Sequence, residues 1–355
     1  MPKKIPSAPR PPQHIAIIGS GMAGIACART LAQAGHEVMV FDKGSRPGGR
    51  MNTMDTPFGG FDTGAQYFTV RDERFAQALA TVPGLCKPWS ANTVRVLDDQ
   101  GRLAAAGLPP REPHWVPTPG MNALPIAWAQ PLVAAQRLEQ ETRVTRLEAD
   151  ALNPKQWQLH TQGPGDSTHV YSGFDRVLLA MPATQAAELL ETCKPGAALS
   201  KRIRPVQTAP CWTLTLAFPQ AMQAKLVSLG PQWNAARSTH HRVAWLARES
   251  SKPGRGAVER WTIQASAAWS QEHLRDDELR VQGKLIKAFA EITGIRAEPS
   301  FVHARRWLYA QTTQPLGVSH LWDDKSGLGA CGDWCLGHRV EDAFISGLEL
   351  ALAVH

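Results

Sequence analysis

The sequence predicts an α/β protein with two domains: a Rossmann-like domain on a parallel sheet that is discontinuous in sequence, and a second α+β domain on a mixed sheet. Three observations support this prediction. Residues 14–41 read as strand, helix and strand, which favours parallel strands joined by a right-handed crossover. Residues 211–218 alternate in polarity, as a half-exposed strand does. The length of 355 residues fits two domains of about 100–200 residues each.

Composition and charge limit the functions to be considered. The chain is 43% hydrophobic and 19% charged, as expected of a protein that buries a core. No run approaches the ~18 apolar residues of a membrane span, and no apolar stretch of a secretory signal precedes the first strand. The net charge of +7 comes without a long basic run. We therefore expect a cytoplasmic protein without nucleic-acid or membrane partners, and an anionic small substrate fits the basic balance.

The first residues and the cysteines carry no site of their own. Residues 1–12 are rich in proline with three basic side chains, and we expect them to form a disordered leader. The six cysteines are scattered without paired metal spacing. Free thiols in a reducing cytosol are the better interpretation, and no metal site is expected.

The periodicity predicts the following elements in chain order. The first strand is placed at His14–Ile18, a helix at 25–32 and a second strand at Glu37–Phe41. Apolar or alternating runs predict strands at 142–147, 157–161, 176–180, 211–218, 244–246 and 259–264. A helix at 277–292 has an apolar side of Leu279, Val281, Leu285, Ile286 and Phe289. The chain ends in a helix at Val340–Val354 with a core stripe of Val340, Phe344, Leu348, Ala351 and Leu352.

A glycine motif joins the first strand to the first helix. Residues 19–24 read Gly-Ser-Gly-Met-Ala-Gly, which is Gly-x-Gly-x-x-Gly. The first glycine permits a tight turn, the second lets the backbone approach a pyrophosphate, and the third lets the helix pack closely on the strand. Asp42 closes the second strand, where a carboxylate can accept hydrogen bonds from both ribose hydroxyls. The motif predicts dinucleotide binding without distinguishing FAD from NAD.

The residues after Asp42 favour FAD. Residues 46–53 read Arg-Pro-Gly-Gly-Arg-Met-Asn-Thr, and the guanidinium of Arg50 could clamp a diphosphate or ribose, with a solvated loop arginine as the alternative. This run resembles the signature of the flavin-containing amine oxidase superfamily. Residues 61–69 resemble the superfamily segment that passes beside the flavin ring. Residues 141–145, 174–182 and 332–343 resemble its adenine-binding strand, the strand returning to the FAD domain and its C-terminal flavin motif.

The resemblance implies an FAD domain built from residues 13–70, 133–195 and 320–355, and a substrate domain built from 71–132 and 196–319. It implies noncovalent FAD held by Gly19, Gly21, Met22, Ala23, Gly24, Asp42, Lys43, Arg50, Met51, Ala65, Gln66, Tyr67, Val144, Gly332, Asp333, Val340, Glu341 and Ala343. The final helix would begin beneath the pyrimidine end of the flavin, where its N-terminus can stabilise negative charge. The side chains of Glu341 and Asp342 should point away from the ring.

Two further segments indicate a particular branch of this superfamily. Residues 250–255 and 303–310 resemble renalase and its bacterial relatives. This resemblance implies an oxidase that takes a hydride from 2- or 6-dihydro-NAD(P) and passes the electrons to dioxygen, which yields hydrogen peroxide. The product is an aromatic pyridinium, so hydride loss needs no general base. Gln66, Tyr67 and Trp307 are candidates for the pocket wall, with simple packing as the alternative. Lys252 and Arg255 are candidates for substrate phosphate, with an exposed, solvated turn as the alternative.

Two other functions stay open. A flavin amine oxidase would need an aromatic cage over the flavin and usually a lysine near N5, and the sequence does not place Lys252 there. A flavin-binding redox sensor with little turnover belongs to another class of protein. Bleaching of the flavin by dihydronicotinamide dinucleotides, by amines or by neither would separate the three.

Overall fold

The computed structural model describes residues 11–89, 94–105, 112–222 and 233–355. Most of the predicted leader lies outside these ranges. The strands are β1 (His14–Ile18), β2 (Glu37–Phe41), β3 (Thr53–Met54), β4 (Phe61–Asp62), β5 (Cys86–Trp89), β6 (Val94–Leu97), β7 (Leu103–Ala105), β8 (His114–Pro117), β9 (Leu138–Glu139), β10 (Arg143–Ala149), β11 (Trp157–Gln162), β12 (Thr168–Phe174), β13 (Arg176–Leu179), β14 (Gln207–Phe218), β15 (Ala235–Ser238), β16 (Val243–Arg248), β17 (Glu259–Ala265), β18 (Phe301–Gln314), β19 (Leu321–Asp323) and β20 (Leu328–Ala330). The helices are α1 (Met22–Gln33), α2 (Glu73–Ala80), α3 (Ala123–Ala134), α4 (Ala183–Leu190), α5 (Ala197–Ile203), α6 (Ala267–Glu272), α7 (Glu278–Thr293) and α8 (Val340–Val354).

The first sheet has the strand order β19-β20-β13-β1-β2-β9. Its strands pair in parallel except for β19 with β20. Strand β1 is buried on both faces, as the centre of a covered parallel sheet should be. Helices α1, α3 and α8 cover one face, while the antiparallel sheet β10-β11-β12 and helices α4 and α5 cover the other. The predicted Rossmann-like domain is confirmed, and it is assembled from distant parts of the chain.

The second sheet is mixed, with the order β18-β14-β17-β16-β15-β6-β7. One of its faces packs on α7 through Leu214, Leu246 and Ile263. The other face turns toward residues 59–66 of the first domain. Strand β14 was expected to be half exposed on the basis of its alternation, but residues 212–218 are buried throughout. The polar side chains of β14 lie on the inner face of the sheet, and the apolar ones lie on the face that packs on α7. Both faces are covered, so the alternating side chains are all buried.

The two long helices differ from prediction in one side chain each. In α7, Leu279 is 78% exposed, and Ala288 and Ile292 complete the buried face. Leu279 precedes Val281 by two residues, which places it about 200° around the helix and away from the sheet. In α8, Leu352 is 54% exposed, while Ile345, Leu350 and Val354 are buried.

Residues 71–132 are divided between the two domains, although the sequence predicts that all of them belong to the substrate domain. Helix α2 contacts α8, and α3 contacts α1, so both cover the first sheet. Strands β6 and β7 extend the second sheet, and β5 pairs with β8. None of the described helices combines the length and the apolar composition that a bilayer crossing requires.

Candidate functional site

The three glycines of the loop after β1 have three different surroundings. Gly19 has a φ of +114°, and a Cβ there would meet the Ala180 carbonyl oxygen at 2.3 Å. A Cβ on Gly24 would meet the Gly19 carbonyl oxygen at 1.9 Å, so this glycine allows α1 to pack on the loop. A Cβ on Gly21 would meet nothing within 4 Å. The loop therefore leaves open space at the N-terminus of α1, where a pyrophosphate fits beside free backbone N–H groups.

Asp42 is held in place at the end of β2. Its Oδ2 accepts hydrogen bonds from the Ser20 backbone N (2.5 Å) and the Ser20 hydroxyl (2.8 Å), and Oδ1 accepts one from the Gly44 N (2.7 Å). The Thr142 N donates to the Asp42 carbonyl oxygen at 2.8 Å, which brings the predicted adenine strand and Val144 alongside. Lys43 is exposed beside it. Asp42 and the predicted adenine strand are thus adjacent.

Arg50 and Asp333 meet although they lie far apart in sequence. The two guanidinium nitrogens of Arg50 donate to the two carboxylate oxygens of Asp333, one of them at 2.9 Å. Thr312 donates to the same carboxylate at 3.3 Å. The Asp333 side chain is only 5% exposed. A bidentate pair with a buried carboxylate fixes both groups firmly, so it joins the loop after β2 to the C-terminal motif.

We expect Arg50→Gln to weaken FAD binding by tenfold or more, about 1.4 kcal/mol or above, because it leaves the buried Asp333 carboxylate without its cation. Titration of the apoprotein with FAD, followed by flavin fluorescence, measures the change. Arg46→Gln is the matched control, since the Arg46–Asp55 pair lies in the same loop with both side chains more than half exposed. Equal effects of the two variants would contradict the bridging role of Arg50.

Residues 62–67 connect the cofactor domain to the polar face of the second sheet. The Gln264 amide donates to the Gly64 carbonyl oxygen at 2.7 Å, and the Trp307 indole donates to the Thr63 carbonyl oxygen at 2.8 Å. The Gln66 amide donates to the Gly64 and Asp62 carbonyl oxygens. Trp307 therefore anchors the segment expected beside the flavin, in addition to its predicted place in the pocket wall.

The first turn of α8 carries two acidic residues, Glu341 and Asp342. Asp342 accepts hydrogen bonds from the backbone N of His338 (3.1 Å) and Arg339 (3.0 Å). Glu341 accepts from the backbone N of Arg71 (2.6 Å) and of Asp72. Asp342 therefore caps the start of α8, where the helix dipole favours negative charge, whereas Glu341 joins α8 to the start of α2. Val340 and Ala343 flank these two residues and are partly buried against the core that contains α1.

The remaining predicted cofactor residues belong to the same body. Met22, Ala23 and Met51 are buried with α1 in the core of the first domain. Ala65 packs partly buried against this core. The Gly332 N donates to the Ser346 hydroxyl of α8 at 2.9 Å, so the C-terminal motif is tied to the last helix. Among the residues that the structure describes, no cluster of His, Cys, Asp and Glu side chains could hold a metal ion.

Lys252 and Arg255, the candidates for substrate phosphate, occupy a buried ionic cluster and not the exposed, solvated turn that was the alternative. The Lys252 Nζ lies 2.9 Å from both Asp62 Oδ2 and Glu249 Oε1, and 3.2 Å from Gln66 Oε1. Arg255 donates to both Asp62 oxygens, at 3.1 and 2.7 Å. None of the four charged side chains is more than 1% exposed. The two cations are engaged with carboxylates, and we no longer assign them to substrate phosphate.

The pKa values of the two carboxylates in this cluster are shifted in opposite directions. Burial alone would raise the pKa of Asp62, but Lys252 and Arg255 lower it to about 2. Burial raises the pKa of Glu249 against the opposing charge of Lys252. Asp62 also accepts hydrogen bonds from Thr53 and from the Met121 backbone N. Asp62 is therefore the anion that balances the cluster, and Glu249 is the group that takes up a proton more readily.

Four rings form an aromatic cluster around Tyr67. Tyr67 stacks on His114 with ring centres 3.8 Å apart and planes at 22°. Trp245 and Trp89 lie 5.6 and 6.4 Å from the Tyr67 ring centre. Burial, with a smaller contribution from Arg237, lowers the pKa of His114 to about 4. The cluster is therefore uncharged at neutral pH and mostly buried, next to the segment expected beside the flavin.

Several of these residues were missed from the sequence, for identifiable reasons. Asp62 lies inside a segment that the sequence analysis singled out, and its position between Phe61 and Thr63 in an otherwise apolar turn was the available signal. Glu249 directly precedes the segment at 250–255 but carries no recognisable spacing. Pairing of β5 with β8 sets Trp89 opposite His114, and pairing of β15 with β16 fixes the place of Trp245. No local pattern contains this information.

The cysteines are free and mostly shielded. Cys27, Cys331 and Cys335 are buried, and Cys86, Cys193 and Cys211 are partly buried. A hydrogen bond with Cys27, together with burial, raises the pKa of Cys331 well above its usual value. Burial raises the pKa of Cys335 as well. Thiols of this kind are weak nucleophiles.

An α/β fold with a glycine loop before α1 and a carboxylate at the end of β2 is typical of dinucleotide-binding proteins. Comparison with known proteins extends this. Residues 17–81 match the NAD(P)-binding Rossmann-like domain, and residues 108–355 match the flavin containing amine oxidoreductase model. The second match spans more than half of the chain. The chain belongs to the flavin containing amine oxidoreductase family.

Individual relatives are distant. A flavin-containing monooxygenase, FMO GS-OX-like 7 of Arabidopsis thaliana, is 27% identical over 172 residues, which is 46% of this chain and 34% of the relative. The chain thus spans about a third of that protein. A protoporphyrinogen oxidase structure from Exiguobacterium sp. 255-15 has a TM-score of 0.73 at 13% identity and covers 96% of this chain and 98% of its own. Cyclohexylamine oxidase from Brevibacterium oxydans has a TM-score of 0.69 at 14% identity over 97% and 99%. These structures share the fold.

Proposed function

We propose that this protein is an oxidase of isomeric dihydronicotinamide dinucleotides, the 2- and 6-dihydro forms of NAD or NADP. The substrate loses a hydride and becomes an aromatic pyridinium, and the two electrons, with two protons, convert dioxygen to hydrogen peroxide. Bound FAD, held noncovalently, supplies the hydride acceptor and the reaction with dioxygen. The shielded Cys331 and Cys335 thiols support a noncovalent cofactor, because a covalent link to sulfur needs a reactive thiolate.

The observation that carries the proposal is the aromatic cluster beside residues 62–67. A dihydropyridine ring is flat, and the stacked rings of Tyr67 and His114 offer a flat surface that can orient it. Tyr67 directly follows Gln66, which lies in the segment expected beside the flavin. A hydride transfer that needs no general base requires mainly that the dihydropyridine ring and the flavin ring be held face to face.

The side chains nearby suit a reaction without a general base. Lys252 contacts two carboxylates and Gln66, so its Nζ is fully engaged within the buried cluster. His114 has a pKa of about 4, and it stays neutral above that pH. We therefore expect the rate of flavin reduction to show no step attributable to His114 between pH 6 and 8.

The test is anaerobic mixing of the purified holoprotein with 2- and 6-dihydronicotinamide dinucleotides, with loss of oxidised-flavin absorbance as the signal. We expect rapid bleaching, and on admission of air one hydrogen peroxide per substrate consumed. Ordinary 4-dihydro NADH serves as the matched control and should bleach far more slowly. Flavin released into the supernatant after denaturation would confirm the noncovalent attachment. Bleaching by amines alone would overturn the proposal, and bleaching by no small donor would favour a redox sensor.

A flavin amine oxidase is the second candidate, and one observation favours it. The Lys252 Nζ lies 3.2 Å from the Gln66 side-chain oxygen, which places a buried lysine next to the segment expected beside the flavin. The aromatic cluster at Tyr67 could serve as the cage over an amine. Cyclohexylamine, the substrate in the name of one structural neighbour, is a suitable probe in the same bleaching experiment.

A further inference from the structure

We propose that Arg237 binds the anionic part of the substrate and so determines which electron donors the protein accepts. This inference rests on the proposed function, and it names the diphosphate of the dinucleotide as the group bound. It assigns to one side chain the phosphate recognition that Lys252 and Arg255 do not provide.

Arg237 lies on the inner face of the second sheet. It is opposite Trp245 on β16 and opposite Val96 on β6. Trp245 is in turn opposite Gln264 on β17. Residues in register across neighbouring strands share a face. Arg237 therefore stands in the row that leads through Trp245 to Gln264, whose amide holds the Gly64 carbonyl oxygen.

The charge of Arg237 is not balanced within the described chain. Its side chain is exposed, and in the ranges that the structure covers no carboxylate lies within 4.0 Å of the guanidinium. The other cations near the site are engaged: Arg50 with Asp333, and Lys252 and Arg255 with Asp62. A guanidinium offers a planar fork of donors that matches phosphate oxygens, so Arg237 is available for an anion.

Two polar atoms of the aromatic cluster point to the same conclusion. The His114 Nδ1 and the Trp245 Nε1 are buried and have no hydrogen-bond partner in the described structure. His114 and Trp245 are only 7% and 8% exposed. Leaving buried polar atoms unpaired costs free energy, and a bound substrate would satisfy them. Arg237 is close enough to His114 to lower its pKa, so all three side chains belong to one region.

The geometry favours an anionic donor over a cationic one. A protonated amine at the Tyr67–His114 surface would be repelled by Arg237, whereas a diphosphate would be attracted. An amino acid is the remaining compatible kind of amine, because it carries a carboxylate. Arg237 thus distinguishes the preferred substrate class from simple amines at the same flavin.

The test compares Arg237→Gln and Arg237→Lys with the wild-type holoprotein on two donors. One is the 6-dihydro dinucleotide, and the other is the matching dihydronicotinamide riboside, which lacks phosphate. We expect Arg237→Gln to raise the half-saturating concentration of the dinucleotide by about 10–100-fold, with the limiting bleaching rate within about twofold. The Arg237→Lys variant should retain part of the affinity for the dinucleotide. The half-saturating concentration of the riboside should be the same for all three proteins. Arg280→Gln, on the exposed side of helix α7, which covers the opposite face of the sheet, is the charge-matched control.

The outcomes separate the inference from the proposed function. An equal loss on both donors, or none on either, would overturn the role of Arg237. If neither donor bleaches the wild type, the proposed function fails, and the inference is then tested with inorganic pyrophosphate. Wild type should bind pyrophosphate, seen as a change in flavin fluorescence, at least tenfold more tightly than Arg237→Gln. Equal binding by the two proteins would overturn the inference on its own.

Discussion

Replacing Asp62 with asparagine is expected to lower the free energy of unfolding by about 3–5 kcal/mol. Asp62 accepts hydrogen bonds from Lys252 and from both terminal nitrogens of Arg255. All three side chains are at most 1% exposed, so water cannot replace the lost charge. The variant keeps the shape of the side chain but leaves two buried cations with Glu249 as their nearest balancing carboxylate.

Glu249→Gln is the matched control for this prediction, and we expect it to cost only about 1 kcal/mol. Burial already raises the pKa of Glu249, so a neutral amide resembles the form that this site tolerates. Urea unfolding of the flavin-free proteins, followed by tryptophan fluorescence, measures both changes. Equal destabilisation by the two variants would contradict the assignment of Asp62 as the balancing anion.

Asp62 and Glu249 also predict how the free energy of unfolding depends on pH. The pKa of Asp62 is about 2 in the folded protein, below its ordinary value of 3.8. A carboxylate with a depressed pKa stabilises the folded state above its unfolded pKa, and that contribution is lost as pH falls through the folded pKa. The difference in unfolding free energy between wild type and Asp62→Asn should therefore shrink as the pH is lowered from about 4 to about 2. The Glu249→Gln difference should not shrink in this window.

Sequence and structure agree best where local pattern and backbone geometry coincide. The strands His14–Ile18 and Glu37–Phe41 have the predicted bounds, because each is a short apolar run between clear turn signals. Gly19 has the positive φ of a tight turn and Gly24 the close contact of helix and loop that their spacing implies. The parallel sheet follows from this unit, since strands connected through a helix are parallel.

The substrate side could not be predicted to the same depth. Whether Lys252 is exposed depends on Asp62, which lies 190 residues earlier in the chain. The charge pattern of residues 250–255 is that of a solvated turn, and only the tertiary packing of β4 against the second sheet buries it. Tyr67 was singled out through its segment, but its partners His114 and Trp245 are set by strand pairing. Contacts of this kind leave no periodic signal in the sequence.

Substituting Gly21 and Gly24 separately should divide cofactor binding from folding. Gly21→Val is expected to leave the apoprotein folded but to weaken FAD binding more than a hundredfold, about 2.7 kcal/mol. Gly21 has a φ of −70° in extended backbone, which valine adopts without strain, and its Cβ would meet nothing within 4 Å. The added side chain would occupy the space that the pyrophosphate needs.

Gly24→Ala should instead damage the fold, because its Cβ would lie 1.9 Å from the Gly19 carbonyl oxygen and 3.1 Å from the Ala180 Cβ. Forcing α1 away from the loop should cost about 1–3 kcal/mol or more in the flavin-free protein. Gly283→Ala is the control, since this exposed helical glycine of α7 has open space around it and gains helix propensity. Thermal unfolding of the apoproteins and flavin content of the purified proteins measure the two effects. If Gly21→Val retained its flavin, the loop would not be the pyrophosphate site, whatever the result at Gly24.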